Sequence, residues 1–99
     1  KLYVTENGAA YPDVVDEQGQ IQDVERQKFI ADHVEQVRLA ITDGVDVRGY
    51  FAWSLMDNFE WAEGYDRRFG IVYVDFATQK RTVKASGKWF ASVAASNKL

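Results

Sequence analysis

The chain has 99 residues, of which 46% are apolar, 14% aromatic and 27% charged, a composition typical of about one folded domain. Its formal charge of −3 comes without any basic block that would indicate nucleic acid, and no apolar run reaches the roughly 18 residues of a membrane span. The absence of cysteine excludes a disulfide scaffold and a thiolate metal site, and it favours a reducing compartment, so a cytoplasmic protein is expected.

The first predicted element is a short strand. Leu2 to Thr5 is a β-branched and aromatic run, which suits a strand buried on both faces of a parallel sheet. The run ends at Glu6-Asn7-Gly8, where Asn and Gly allow a sharp turn. Because α/β barrels carry their catalytic groups where parallel strands end, Glu6 is a candidate active-site acid. The polar stretch from Ala9 to Gln22 then predicts a long loop on the same face.

A helix and a second strand follow. Asp23 is placed to act as the N-cap of a helix that runs to about Thr42, with apolar residues at helical spacing. Asp43-Gly44 ends this helix, with glycine in its usual C′ position. Val45 to Ser54 predicts the second strand, so that strand, helix and strand form one βαβ unit with parallel strands. The only histidine, His33, lies on the helix without a second metal-binding side chain and is assigned no chemistry.

The remaining third of the chain predicts a loop, a hairpin and a helix. Asp57 to Arg68 is a second long loop rich in aromatic and charged residues. Phe69 to Asp75 alternates like a short strand, and Thr82 to Lys84 is expected to pair with it after a polar turn. The last helix spans Ala85 to Ser96, with Trp89 as a core anchor. This order predicts an α/β fold that forms the C-terminal portion, strands 7 and 8 with their helices, of a (β/α)8 TIM barrel.

The sequence starts inside a strand, with no initiator Met and no leader. We therefore expect residues 1–99 to be the C-terminal fragment of a single TIM-barrel catalytic domain, whose parent would run to about 250 residues or more. Such a fragment would expose strand edges that the rest of the barrel covers. The missing N-terminal part of the barrel is thus an expected partner.

Two acids and a tryptophan follow the ends of the predicted parallel strands. Glu6 ends the first strand, and Trp53 and Glu60 come at and after the end of the second. Because adjacent parallel strands lie roughly 5 Å apart, these side chains can converge on one pocket. Carboxylates accept hydrogen bonds from hydroxyls and indole rings cover C–H surface, so the pattern favours a polyol or sugar ligand.

The wording of two motifs resembles glycoside hydrolase family 1, the β-glucosidases and their relatives. The first motif is Val4-Thr5-Glu6-Asn7-Gly8, and the second runs from Gly49 to Asp75 in nearly the family's own wording. The resemblance covers residues 1 to 92 and implies that Glu6 is the nucleophile of retaining glycoside hydrolysis. It implies no metal and no other cofactor.

The resemblance also implies a glycone pocket. Trp53 would form the platform under the sugar ring, and Glu60 would accept hydrogen bonds from the hydroxyls at O4 and O6. Trp61 would donate its indole N–H towards O3, and Phe69 would wall the O6 side. The branch of the family that acts on 6-phosphosugars has serine in place of this glutamate. The expected substrate is therefore an unphosphorylated β-glucoside or cello-oligosaccharide, as in cellulose degradation, with β-galactosides and β-fucosides tolerated.

The retaining mechanism needs a second carboxyl group, which this chain does not supply. In the family that acid/base comes from an earlier strand, in an Asn-Glu-Pro motif that is absent here. The chain alone should therefore be inactive, and Glu60 and Glu63 should not be assigned the missing role. The thioglucosidase branch, which lacks the usual acid, also stays open because the deciding residue lies outside these residues.

Two other readings of the sequence stay open. A non-catalytic carbohydrate-binding α/β module would use Trp53, Glu60 and Trp61 alone, and the intact motif around Glu6 speaks against it. A plain structural α/β segment would hold the tryptophans in its core. Quenching of tryptophan fluorescence by glucose would separate this last reading from the other two.

Overall fold

The computed structural model describes residues 1–99 throughout. Its strands and helices follow the predicted order, with one 3-10 turn at Trp61–Glu63. No helix combines the length and the apolarity that a membrane span requires. The elements are β1 (Leu2–Asn7), α1 (Val24–Thr42), β2 (Val47–Ala52), β3 (Val72–Val74), β4 (Arg81–Val83) and α2 (Ala85–Ser96).

The first two strands form a parallel pair joined by α1, which confirms the predicted βαβ unit. Leu2 is paired with Val47 and Asn7 with Ala52. β1 is longer than predicted, since it includes Glu6 and Asn7. Glu6 thus lies near the end of the strand and not in a loop, because the pairing between Asn7 and Ala52 extends the strand by two residues.

Helix α1 has the predicted bounds, but its N-cap works differently from the expectation. Asp23 occupies the N-cap position, but its side chain accepts no capping hydrogen bond from the backbone of its own helix. Its carboxylate instead accepts hydrogen bonds from the backbone N–H of Ser86, at 2.9 Å, and from the Ser86 hydroxyl. Asp23 therefore satisfies an unpaired donor in the first turn of α2, where a negative charge is also favoured by the helix dipole. Gly44, with φ of +94°, follows the end of α1 as predicted.

The predicted strand over Phe69 to Asp75 is confirmed only in its second half. β3 covers Val72–Val74 and pairs antiparallel with β4, as expected for the hairpin. The preceding residues bond elsewhere: Ser54 donates its N–H to the carbonyl of Phe69, and Ile71 donates to the carbonyl of Ser54. The backbone around Phe69 is therefore attached to the end of β2.

The interior of the chain is mostly polar. Eleven of the 99 residues are buried, and the only hydrophobic ones are Ile21, Ile30 and Val74. Leu2 and Tyr3 of β1 are 57% and 56% exposed, so the prediction of a strand buried on both faces is wrong for this chain by itself. The sheet contains only β1 and β2, and no strand covers the other edge of β1. Trp89 is half-buried and not a core residue.

Candidate active site

Glu6 and Trp53 lie at the same edge of the parallel pair, as the sequence predicted. β1 and β2 end side by side, and the backbone N–H of Trp53 donates a 2.8 Å hydrogen bond to the carbonyl of Asn7, next to Glu6. The side chain of Glu6 is exposed and takes part in no ion pair of the chain. Its carboxylate is therefore available to a ligand at this edge.

Gly8 permits the close approach of the two strand ends. A Cβ atom at this position would lie 1.8 Å from the carbonyl oxygen of Trp53 and 2.8 Å from its carbonyl carbon. Both atoms belong to backbone, which cannot rotate away as a flexible side chain can. The glycine after Glu6-Asn7 therefore sets the distance between the strand that carries Glu6 and the segment that carries Trp53.

We expect Gly8→Ala to destabilise the complete protein by about 3 kcal/mol, because the added methyl group forces the two backbones apart. The free energy of unfolding from urea titration measures this loss. Gly49→Ala is the control, since the nearest atom to its Cβ is a side-chain atom, Cδ1 of the Tyr3 ring, at 2.9 Å. That ring can move, so the control should lose clearly less stability. An equal loss in both variants would contradict the role given to Gly8.

Tyr50 adds a side-chain hydrogen bond between the two strand ends. Its hydroxyl donates to Oδ1 of Asn7 at 2.7 Å. Burial raises the pKa of Tyr50 to about 12, so the hydroxyl keeps its proton and remains a donor at neutral pH. Asn7, the neighbour of Glu6, is thus fixed by its backbone through Trp53 and by its side chain through Tyr50.

Phe69 is brought to the same region through its backbone. Its carbonyl accepts a 3.0 Å hydrogen bond from the N–H of Ser54, and the Trp53–Ser54 peptide bond is cis. The Phe69 side chain is half-buried. Backbone hydrogen bonds therefore connect these residues at one edge of the sheet. Trp53 bonds to Asn7, the neighbour of Glu6, and Ser54, the neighbour of Trp53, bonds to Phe69.

Glu60 and Trp61 lie in a turn of their own. The N–H of Glu60 donates to the carbonyl of Gly64 at 2.7 Å, and Trp61 adopts a positive φ of 45°. The Trp61 side chain is 83% exposed, so nothing in the chain covers the indole ring. No hydrogen bond of this chain links either side chain to Glu6, Trp53 or Phe69.

Two features of the remaining surface bear on other kinds of site. A groove of about 720 Å³ lies between α1, β2 and the end of α2 and contains none of the five candidate residues. No group of three or more His, Cys, Asp or Glu side chains is arranged to hold a metal ion. His33 hydrogen-bonds the carbonyl of Phe29 at 2.7 Å and packs on its ring, as a packed histidine would.

A network of buried charges, which the sequence did not reveal, joins the loop after β1 to the loop after β2. Arg26 forms ion pairs with Asp13 at 2.8 Å and with Asp23 at 2.5 Å, and all three side chains are 1% exposed or less. Burial disfavours the charged guanidinium, but the hydrogen bonds and charges of Asp13 and Asp23 outweigh it and raise the pKa of Arg26 above its ordinary value. This part of the network ties the loop after β1 to the start of α1.

The second part of the network lies around Asp57. Its carboxylate accepts hydrogen bonds from Lys84 at 2.8 Å and from Arg68 at 2.6 Å. It also accepts from the backbone N–H groups of Gly70, at 3.0 Å, and Val74, at 3.3 Å. The guanidinium of Arg68 stacks over the ring of Tyr73, 4.1 Å from its centroid. Asp57 and Arg68 thus have a structural role.

The whole chain is similar to known glycosidases. The sequence profile of glycosyl hydrolase family 1 matches residues 1–99. The chain is 58% identical over its full length to a 1,4-beta-D-glucan glucohydrolase of Thermotoga neapolitana, and 46% identical over 100 aligned residues to a 6-phospho-beta-galactosidase of Staphylococcus epidermidis. It spans 22% of the length of the first of these relatives and 21% of the second.

The structural comparison agrees with the sequence comparison. The fold matches a solved family 1 β-glucosidase from Thermotoga maritima with a TM-score of 0.97 and 57% identity, over 98% of this chain and 22% of the other. The same Thermotoga maritima enzyme has also been solved in complex with castanospermine. Because the family profile matches every residue and the backbone superposes closely, the chain belongs to glycosyl hydrolase family 1.

Proposed function

We propose that the complete protein containing this chain is a retaining β-glucosidase, and that residues 1–99 supply the seventh and eighth β/α units of its TIM barrel. Membership of glycosyl hydrolase family 1 and the similarity to β-glucosidases support this proposal. The parallel pair is consistent with it, since barrel enzymes carry their catalytic groups at the carboxyl ends of parallel strands.

The observation that carries the proposal is the state of Glu6. The carboxylate is exposed at the carboxyl end of β1, beside the backbone of Trp53, and forms no ion pair within the chain. By contrast, the carboxylates of Asp13, Asp23 and Asp57 each form an ion pair with a buried cation. An acid held by a rigid strand end and left unpaired is suited to act on a ligand and contributes little to the fold.

Glu6 acts as the nucleophile in the proposed mechanism. Its carboxylate attacks the anomeric carbon, the glycosidic C–O bond breaks, and a covalent glycosyl-enzyme forms on Glu6. A second carboxyl group, about 5 to 5.5 Å away in retaining enzymes, protonates the leaving oxygen and then takes a proton from the water that releases the sugar. This second acid lies in the rest of the barrel, so the chain alone does not catalyse the reaction.

The other candidate residues bind the sugar. Trp53 supports the ring, Glu60 accepts hydrogen bonds from O4 and O6, Trp61 donates towards O3, and Phe69 lines the O6 side. Two hydrogen bonds to one charged carboxylate are stronger than neutral ones, and a substrate without those hydroxyls leaves the carboxylate unpaired. Because Glu60 is negatively charged, it also repels a 6-phosphate. The proposed substrate is therefore an unphosphorylated β-glucoside or cello-oligosaccharide.

Trapping of the intermediate tests this function. The complete protein, or the Thermotoga maritima β-glucosidase with its matching 22% replaced by this chain, is incubated with a 2-deoxy-2-fluoro-β-glucoside that carries a good leaving group. We expect one added sugar by intact mass, and peptide mapping should place it on Glu6. The chain alone, treated identically, should remain unlabelled.

Two results would count against the proposal in different ways. A label on another acid of the active complete protein would remove Glu6 from the role of nucleophile. Turnover of β-glucosides with inversion of the anomeric centre, followed by NMR of the released sugar, would exclude the retaining mechanism altogether. Saturable quenching of tryptophan fluorescence by glucose without any turnover would instead identify a carbohydrate-binding protein.

A further inference from the structure

We propose that Lys84 is a positioning residue for the sugar pocket, because its buried ammonium group joins the loop after β1 to the loop after β2. The inference rests on the β-glucosidase function proposed above and adds a residue to it. Lys84 lies at the N-cap position of α2 and is 0% exposed. Lysine is almost never fully buried unless its charge is paired, so its partners define its role.

The ammonium group has one partner in each loop. Nζ donates to Oδ2 of Asp13 at 2.5 Å and to Oδ1 of Asp57 at 2.8 Å. The two carboxylates are as inaccessible as the lysine, with side-chain exposures of 1% and 0%. Asp13 lies between β1 and α1, and Asp57 lies after β2. One cation thus connects the segments that follow Glu6 and Trp53.

Asp57 in turn restrains the position of Phe69 through hydrogen bonds to its two neighbours. Its carboxylate accepts hydrogen bonds from the guanidinium of Arg68 at 2.6 Å and from the N–H of Gly70 at 3.0 Å, the residues on either side of Phe69. The carbonyl of Phe69 in turn accepts the hydrogen bond from Ser54, which follows Trp53. The Asp57 carboxylate therefore restrains Phe69, a proposed pocket residue, through the side chain of the preceding residue and the backbone of the following one.

The charges of the network balance only when Lys84 is present. Three buried carboxylates, those of Asp13, Asp23 and Asp57, face three cations, those of Arg26, Arg68 and Lys84. Without the lysine, the network carries one excess negative charge, and Asp13 and Asp57 repel each other at low dielectric. The two loops remain joined through the Arg68 carbonyl, which accepts from Arg26 at 2.8 Å and from the N–H of Tyr11 at 3.3 Å, so the expected result is a shift of the Asp57 carboxylate. A displacement of about 1 Å is enough to lower the rate of an oriented reaction by roughly 100-fold.

The test compares two substrates in the complete protein. We expect Lys84→Met to lower kcat/KM for 4-nitrophenyl β-glucoside about tenfold more than kcat/KM for the 6-deoxy analogue, because a misplaced Phe69 loses the contact with O6, which the analogue does not make in either protein. The ratio of the two constants is independent of the folded fraction, so a loss of stability alone does not change it. Hydrogen exchange of the Gly70 and Val74 amides, which both donate to Asp57, should become at least tenfold faster.

Three further variants separate positioning from general effects. Lys28→Met makes the same chemical change at an exposed pair, where Nζ lies 2.6 Å from Asp32 with the lysine 73% exposed; it should alter neither the ratio nor the exchange. Ile30→Ala removes a buried apolar side chain, one helical turn after Arg26, and leaves every charge of the network in place; it should lower stability without changing the ratio. The double variant Asp13→Asn with Lys84→Met removes one negative and one positive charge, so the network stays balanced. It is used for the test if the Lys84→Met variant does not fold.

The outcomes are distinct. A shifted substrate ratio together with faster exchange in Lys84→Met or in the balanced double variant supports the inference. If the wild-type protein is active but the variant has the wild-type ratio, the inference is wrong and Lys84 is a structural residue. A wild-type protein that hydrolyses neither glycoside and forms no adduct on Glu6 overturns the proposed function and the inference together.

Discussion

Replacing Glu6 with alanine is expected to lower kcat/KM of the complete protein for β-glucosides by about 10⁴-fold or more, because the covalent route is lost with the nucleophile. Stability should change little, since the Glu6 side chain is exposed and forms no ion pair. Hydrolysis of 2,4-dinitrophenyl β-glucoside measures the loss. Addition of azide should restore turnover and give the α-glucosyl azide, because the small anion attacks from the face that the carboxylate has vacated.

The control for this prediction is Glu17→Ala. Glu17 is an exposed acid of the loop that follows β1, and its removal should leave kcat/KM within about twofold. Formation of the β-glucosyl azide, or a loss in Glu6→Ala no larger than in the control, would show that Glu6 is not the nucleophile.

Glu60→Gln is expected to lower kcat/KM for β-glucosides by about 10²- to 10³-fold, or roughly 3 to 4 kcal/mol of transition-state stabilisation. The amide keeps the shape of the side chain but removes the charge and one of the two acceptors that face the sugar hydroxyls. Steady-state kinetics with 4-nitrophenyl β-glucoside and its 4-deoxy and 6-deoxy analogues measure the effect. The loss should be smaller with each analogue, since one of the two hydrogen bonds is already missing.

Glu63→Gln provides a matched control within the same turn. Glu63 is exposed and pairs with Arg67 at 3.5 Å on the surface, where an ion pair contributes little. Its replacement should leave the kinetics unchanged. Equal losses with glucoside and deoxy analogues in Glu60→Gln would contradict the contact with O4 and O6, and a comparable loss in Glu63→Gln would indicate a general effect on the turn.

Local patterns accounted for much of the fold. Alternation and apolar spacing gave the right type for all six strands and helices, and the bounds of α1 and α2 agree with the structure. These signals are local because a helix face repeats every three to four residues and a strand face every two. The half-predicted strand at Phe69 shows the limit, since its backbone donors and acceptors are taken by Ser54, fifteen residues earlier in the chain.

The burial of individual residues could not be derived in the same way. Leu2 and Tyr3 read as interior residues but are more than half exposed, because no strand of this chain covers the outer edge of β1. Asp13, Asp23, Asp57 and Lys84 are charged residues with no pattern that predicts burial, but their side chains are 1% exposed or less. Their partners are up to 71 residues apart in sequence, and no periodicity encodes such pairings.

The sequence by itself determined the family and the βαβ order, and it predicted the five candidate residues, because motif wording and short-range periodicity are properties of neighbouring positions. Only the tertiary structure decided how these residues are held: Gly8 against the Trp53 carbonyl, Tyr50 on Asn7, and Lys84 between Asp13 and Asp57. The physical reason is that steric contact and buried charge pairing depend on distance in space, and the chain brings such groups together only after the strands have paired and the helices have packed.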